Sequence, residues 1–177
     1  MLTLNTVVHT HHTIANTEVT IRPMTKEDAE LESNFVHNLS FETKHNRFLE
    51  GINDLSPKML ARLCDIDGKN AMAFIATILH DNKEQQIGVS RYACEPDSNE
   101  SEMAITVADE WQHHGLAQLL MKPLITYAQH NGISALFSID LSSNTAMHRL
   151  AKALGMSCEK MPEDSRLLKY RLSLAHA

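Results

Sequence analysis

The order of apolar and polar positions along the chain divides it into alternating strand-like and helix-like stretches. Glu18 to Met24 alternates around Val19 and Ile21, which predicts a strand. Thr25 followed by Asp28 has the spacing of a capping box and opens a helix over Lys26 to Leu39. Apolar side chains at helical spacing continue from Phe41 to Leu49, and Ser56-Pro57 starts a third helix through Leu63. The first third is therefore helical and is expected to form a lid. Ala71 to His80 is a continuous apolar run. The polar turn Asp81-Asn82-Lys83 separates it from the alternating stretch Gln86 to Cys94, which predicts a hairpin. A turn at Pro96 to Asn99 leads into a third strand, Glu100 to Val107, with Met103, Ile105 and Val107 on one face and Glu102, Ala104 and Thr106 on the other. Gly115 to Asn131 carries Leu116, Leu119, Leu120, Leu124 and Tyr127 at helical spacing and ends at Asn131-Gly132. Then come a buried-type strand from Ile133 to Leu141, a helix from Asn144 to Leu154 closed by Gly155, and an alternating strand from Arg166 to Leu174. A meander followed by strand, helix and strand predicts an α/β (α+β) fold, a mixed and mostly antiparallel central sheet with helices on both faces.

The 177 residues fit one domain, taken as 18–177. Residues 1–17 are polar, rich in Thr and His, and read as a tail or edge segment; His9, His11 and His12 lack a further ligand and are assigned no metal. A net charge of -6 argues against a nucleic-acid partner, because that affinity comes from Lys and Arg neutralising phosphates. Cys64, Cys94 and Cys158 are odd in number and lack metal spacing, so neither a disulfide framework nor a zinc site is expected. No signal segment or membrane span is read, and a cytoplasmic protein, monomer or homodimer, is expected.

The segment with the most chemistry is Gln112-His113-His114-Gly115-Leu116-Ala117, between a strand and an apolar helix. A helix start presents unpaired N–H groups and a partial positive charge, which suits a pyrophosphate. Gly115 and Ala117 leave the backbone open to it, Gln112 offers a side-chain donor, and His113 or His114 offers a cation at lower pH.

Gln112, Gly115 and Ala117 at this spacing resemble the acyl-CoA pyrophosphate loop of the GNAT acetyltransferases. The upstream words Asn38-Leu39-Ser40, Arg47-Phe48-Leu49 and Ser90-Arg91-Tyr92 resemble the GNAT domain of bacterial protein lysine acetyltransferases. The resemblance implies acetyl-CoA as cosubstrate, with no metal. Its pantetheine arm pairs with the backbone of Ile105, Thr106 and Val107, and Asn144 touches that arm. Glu102 stands where many relatives carry the carboxylate that deprotonates the amine. The position at which many relatives carry a tyrosine general acid holds Ala151 here, with Tyr92 and Cys158 as conceivable substitutes. The implied activity is transfer of an acetyl group to a primary amine, a protein lysine being one acceptor. The alternatives are a small amine such as a polyamine or amino acid, and a non-catalytic acyl-CoA sensor.

Overall fold

The computed structural model describes residues 9–49, 51–94 and 98–174. Its sheet has eight strands: β1 (Thr10–Ile14), β2 (Thr17–Pro23), β3 (Ala71–His80), β4 (Lys83–Cys94), β5 (Glu100–Val107), β6 (Ala135–Leu141), β7 (Ser157–Lys160) and β8 (Leu167–Ser173). They lie in the order β1-β2-β3-β4-β5-β6-β8-β7. Every neighbouring pair is antiparallel except β5 and β6. The helices are α1 (Ala29–Asn38), α2 (Phe41–Phe48), α3 (Pro57–Cys64), α4 (Leu116–His130) and α5 (Thr145–Leu154).

Strand alternation supplies two cores. Met72, Phe74 and Ala76 of β3 face one way and join Leu116, Leu120, Leu124, Met147 and Leu150 of α4 and α5. Ala73 and Ile75, one residue out of phase, face the other way and join Phe35, Val36 and Cys64 of α1 and α3. β3 is buried on both faces, which is why its sequence is an unbroken apolar run.

Local chemistry sets most boundaries. The Thr25 N–H donates to Asp28 Oδ2 at 2.7 Å, the capping box expected from the spacing, but residues 26–28 form a tight 3-10 turn before α1 begins. Ser40 and Ser56 cap α2 and α3 by accepting from Thr43 N at 3.2 Å and Met59 N at 3.3 Å. The hairpin turn is shorter than expected. Asp81 and Asn82 both have positive φ, 51° and 60°, and Lys83 already pairs with His80. Such a two-residue turn matches the twist of the strands it joins. Gly88 allows α4 onto the sheet, because a Cβ there would stand 2.9 Å from Leu120 Cδ1 and 3.3 Å from the Thr106 carbonyl oxygen.

Two strands depart from the expectations. Thr10–Ile14, expected as tail or edge, pair with β2 as the edge of the sheet; residues 1–8 lie outside the described residues. Ser157–Lys160 were assigned to no element, yet pair with β8. All four residues of β7 are exposed, so the apolar alternation that marks a half-buried strand is missing. Part of the expected Pro96–Asn99 turn also lies outside the described residues.

Candidate active site

The parallel contact between β5 and β6 is brief. Glu100, Ser101 and Glu102 pair with Ala135, Leu136 and Phe137, and there the pairing ends. Beyond it β5 runs on to Val107 beside β4, while β6 runs to Leu141 beside β8. The strands splay and the sheet opens into a wedge. A strand edge without a neighbour presents its N–H and C=O groups to whatever enters. The wedge is the floor of a cleft of about 850 Å³, lined by β5 from Glu102 to Val107, by Ser138 to Asp140 of β6, by α2, by the loop at 109–115 and by the first turns of α4 and α5.

The loop between β5 and α4 is tightly built. The Ala108 N–H donates to the Ile87 carbonyl at 2.9 Å, and a 3-10 turn follows at Asp109–Trp111. His113 and Gly115 take positive φ, 65° and 80°. Gly115 is the N-cap of α4, and no side chain caps that helix. The N–H groups of Leu116 and Ala117, in its first turn, have no helical carbonyl four residues earlier. Leu116 and Ala117 line the cleft wall.

Of the residues expected in the site, Glu102, Ile105, Thr106, Val107, Gln112, His113, Gly115, Leu116, Ala117 and Asn144 all line this cleft. His114 is exposed and is not among the lining residues. Two of the expected ligands have internal duties. Gln112 Nε2 donates to Thr43 Oγ1 and to the Val107 carbonyl, both at 3.2 Å, closing the loop on itself and on α2. Asn144 Oδ1 accepts from Met147 N at 3.0 Å, an N-cap for α5, while its Nδ2 donates to Asp140 Oδ1 at 3.2 Å. Ala151 is buried in the core below α5. Tyr92 is also a core residue, its hydroxyl pushed above the usual tyrosine value by burial, and Cys158 is exposed on β7; neither lines the cleft.

Three further residues shape the site and were given no role by the sequence. Asp109 accepts from Ser40 N at 2.9 Å, Ser40 Oγ at 2.6 Å and Thr43 Oγ1 at 2.7 Å, tying the start of α2 to the loop. Asp140, on β6, accepts from Ser138 Oγ and from Asn144. Its burial pushes the carboxyl above the ordinary aspartate range, against those hydrogen bonds and the charge of Arg47. Arg47, in the last turn of α2, is half-buried with its guanidinium 4.9 Å from the Phe48 ring centroid. Loss of solvent, and then the like charge of Arg91, bring its pKa down to about 10, against the opposing pull of Glu32, Glu102 and Asp140. A charged residue inside an otherwise alternating strand is the signal that marks Asp140. Asp109's partners Ser40 and Thr43 lie 69 and 66 residues away in the chain, and the charges that act on Arg47 lie 15 to 93 residues away, beyond the reach of local pattern.

Burial raises the Asp109 carboxyl, but the donors from Ser40 and Thr43 outweigh it and hold the group below the usual aspartate value. A depressed carboxylate stabilises the fold fully above the unfolded value, near 3.9, and this stability is lost as pH falls through the lower folded value. Asp109→Asn removes that dependence: urea midpoints of wild type and variant should converge as pH is lowered from 6 toward 3, the wild type being the more stable at the upper end.

A splayed wedge ending at an uncapped helix start suits a transferase with an extended anionic donor, and the comparisons with known proteins identify the class of enzyme. Residues 18–157 match the family described as the acetyltransferase (GNAT) domain, and the chain belongs to that family of enzymes. An acetyltransferase of Pseudomonas aeruginosa is 41% identical over 156 residues, covering 88% of this chain and 84% of that protein. The GNAT domain of S. lividans PAT superposes with a TM-score of 0.84 at 23% identity, over 94% of this chain and 97% of that one. A structure of yncA, a putative acetyltransferase from Salmonella typhimurium with its cofactor acetyl-CoA, has a TM-score of 0.73 at 19% identity, covering 90% and 95%. Among the described residues no helix is long and apolar enough to cross a membrane.

Proposed function

We propose that this acetyltransferase moves an acetyl group from acetyl-CoA to a primary amine by direct attack, with Glu102 as general base and no acyl-enzyme intermediate. The observation that carries this reading is Glu102 at the vertex of the wedge, the last β5 residue paired to β6, with its side chain opposite the buried Met103. The splay beyond it accommodates an extended amide-bearing arm along Ile105–Val107, and the open ground around Gly115 accommodates a diphosphate at the Leu116 and Ala117 amides. A thioester supplies an acyl carbon activated toward amines.

The residues then have these duties. The loop and β5 hold the donor, so that attack becomes effectively unimolecular. Glu102 takes the ammonium proton, directly or through water, and frees the lone pair. The splayed edge of β5 offers backbone N–H groups to the oxygen that gains charge. The absence of a tyrosine at Ala151 favours the sensor reading only if turnover is missing, and a thiolate leaves without much assistance near neutral pH. Calorimetry with acetyl-CoA, followed by a free-thiol assay over protein lysines, polyamines and amino acids, tests the proposal. Uptake of acetyl-CoA with no thiol release on any amine would leave the sensor in its place.

Gly115→Val isolates the loop. No atom lies within 4 Å of a Cβ at this position, so the cost is conformational and not a clash. A residue forced to φ near 80° pays about 1–2 kcal/mol, more when β-branched, and otherwise bends the cradle away. The acetyl-CoA Kd in calorimetry should rise about tenfold or more.

A further inference from the structure

Several charged groups in the cleft, Arg47, Glu102 and the exposed Glu42 among them, are left open by the fold. Asp109 is occupied by Ser40 and Thr43, Asp140 by Ser138 and Asn144, and Arg149 NH2 stands 3.5 Å from Thr145 Oγ1. Arg47 and Glu102 both line the cleft, and neither has a hydrogen-bond or ion-pair partner among the described residues. Each lies within the other's electrostatic reach, yet they do not pair. A guanidinium carries five N–H donors in a fixed fork and stays charged, so Arg47, half-buried at the cleft with no acceptor from the described residues, is placed to take one from a ligand.

We propose that Arg47 is the specificity residue for the acceptor, and that the acceptor is a small amine carrying a carboxylate, its ammonium meeting Glu102 while its carboxylate meets Arg47. This rests on the transferase reading above and names the substrate class within it. The guanidinium fork matches a carboxylate in two parallel hydrogen bonds. A monoanion suits the site better than a phosphate dianion, because the acidic Glu102 and Asp140 line the same cleft as Arg47. A small molecule suits it better than a protein side chain. Arg47 is half-buried in the last turn of α2 and lines the cleft, where a free amino acid can enter without carrying a peptide backbone between α2 and the sheet. Aliphatic polyamines offer nothing to Arg47 and bring a second cation towards it.

The test uses the whole chain, acetyl-CoA and a free-thiol assay, with products checked by mass. Acceptors are ω-amino acids of one to five methylenes and free lysine, each compared with its carboxamide. The wild type should prefer the best acid over its amide by about 10- to 100-fold in kcat/KM, the size of a charge-assisted hydrogen-bond pair. Arg47→Gln should bring that ratio close to one with acetyl-CoA binding little changed, and Arg47→Lys should restore part of it. Equal rates on acids and amides at every spacing would overturn the proposal. So would lysine peptides or polyamines outrunning all the acids, or an Arg47→Gln variant that slows acids and amides alike while weakening acetyl-CoA binding, which would assign Arg47 to the donor. A protein that takes up no acetyl-CoA and releases no thiol with any amine removes the transferase reading itself, an outcome distinct from a transferase indifferent to the carboxylate.

Discussion

Glu102→Gln is expected to lower kcat by about 100- to 10,000-fold while leaving the acetyl-CoA Kd from calorimetry within a small factor of wild type. The side chain is exposed at the vertex of the wedge and makes no hydrogen bond to another described residue, so the amide fits without disturbing the fold. What it cannot do is hold a proton. The amine must then reach the thioester already neutral, and the variant's rate should keep rising with pH toward the amine's own pKa, near 10.4 for a lysine-like amine. A variant within threefold of wild type at neutral pH would remove Glu102 from the chemistry, and loss of acetyl-CoA binding would show a structural role instead.

The largest effect on stability is expected at Glu32, which is buried on α1. Its Oε1 accepts from Arg91 NH2 at 2.6 Å and its Oε2 from Gln86 Nε2 at 2.6 Å, while Arg91 NH1 donates to the Leu63 carbonyl at 2.8 Å. This network pins α1 and the end of α3 to β4. Glu32→Ala leaves Arg91 Nη2 and Gln86 Nε2 buried without their acceptor, although Arg91 Nη1 keeps the Leu63 carbonyl, a loss of about 3–5 kcal/mol. Against a total of about 5–15 kcal/mol for a typical domain, that is a large share. The urea midpoint at pH 7 reads it directly, with an unchanged slope. Glu32→Gln should cost less, because its carbonyl oxygen still accepts one of the two donors. A midpoint for Glu32→Ala within experimental error of wild type would mean that water replaces the carboxylate. Arg91 is also the like charge that bears on Arg47, so the same network influences the cleft.

The elements were legible in the sequence wherever burial is one-sided or local chemistry marks an end. Alternation in β4 and β5, helical spacing in α4, the Ser56-Pro57 start and the Gly155 stop each depend on residues within a turn or two of one another. The loop between β5 and α4, proposed to hold a pyrophosphate, was legible for the same reason: Gln112, Gly115 and Ala117 stand within six residues, and the strand and helix around them follow from pattern. The fully exposed β7 gave no such signal, and β1 gave little.

Tertiary structure alone decided that β5 and β6 pair for three residues and then part, since register between residues 35 positions apart is set by how whole faces pack and not by either strand's pattern. The splay makes the cleft. Packing of α2 against the site also puts Arg47 and Glu102, 55 residues apart, in one cleft, and hydrogen-bonds Asp109 to Ser40 and Thr43, 69 and 66 residues away. Short-range periodicity reports which face of an element is dry. Which charged groups meet, and which are left without a partner, depends on where the dry faces bring those elements together.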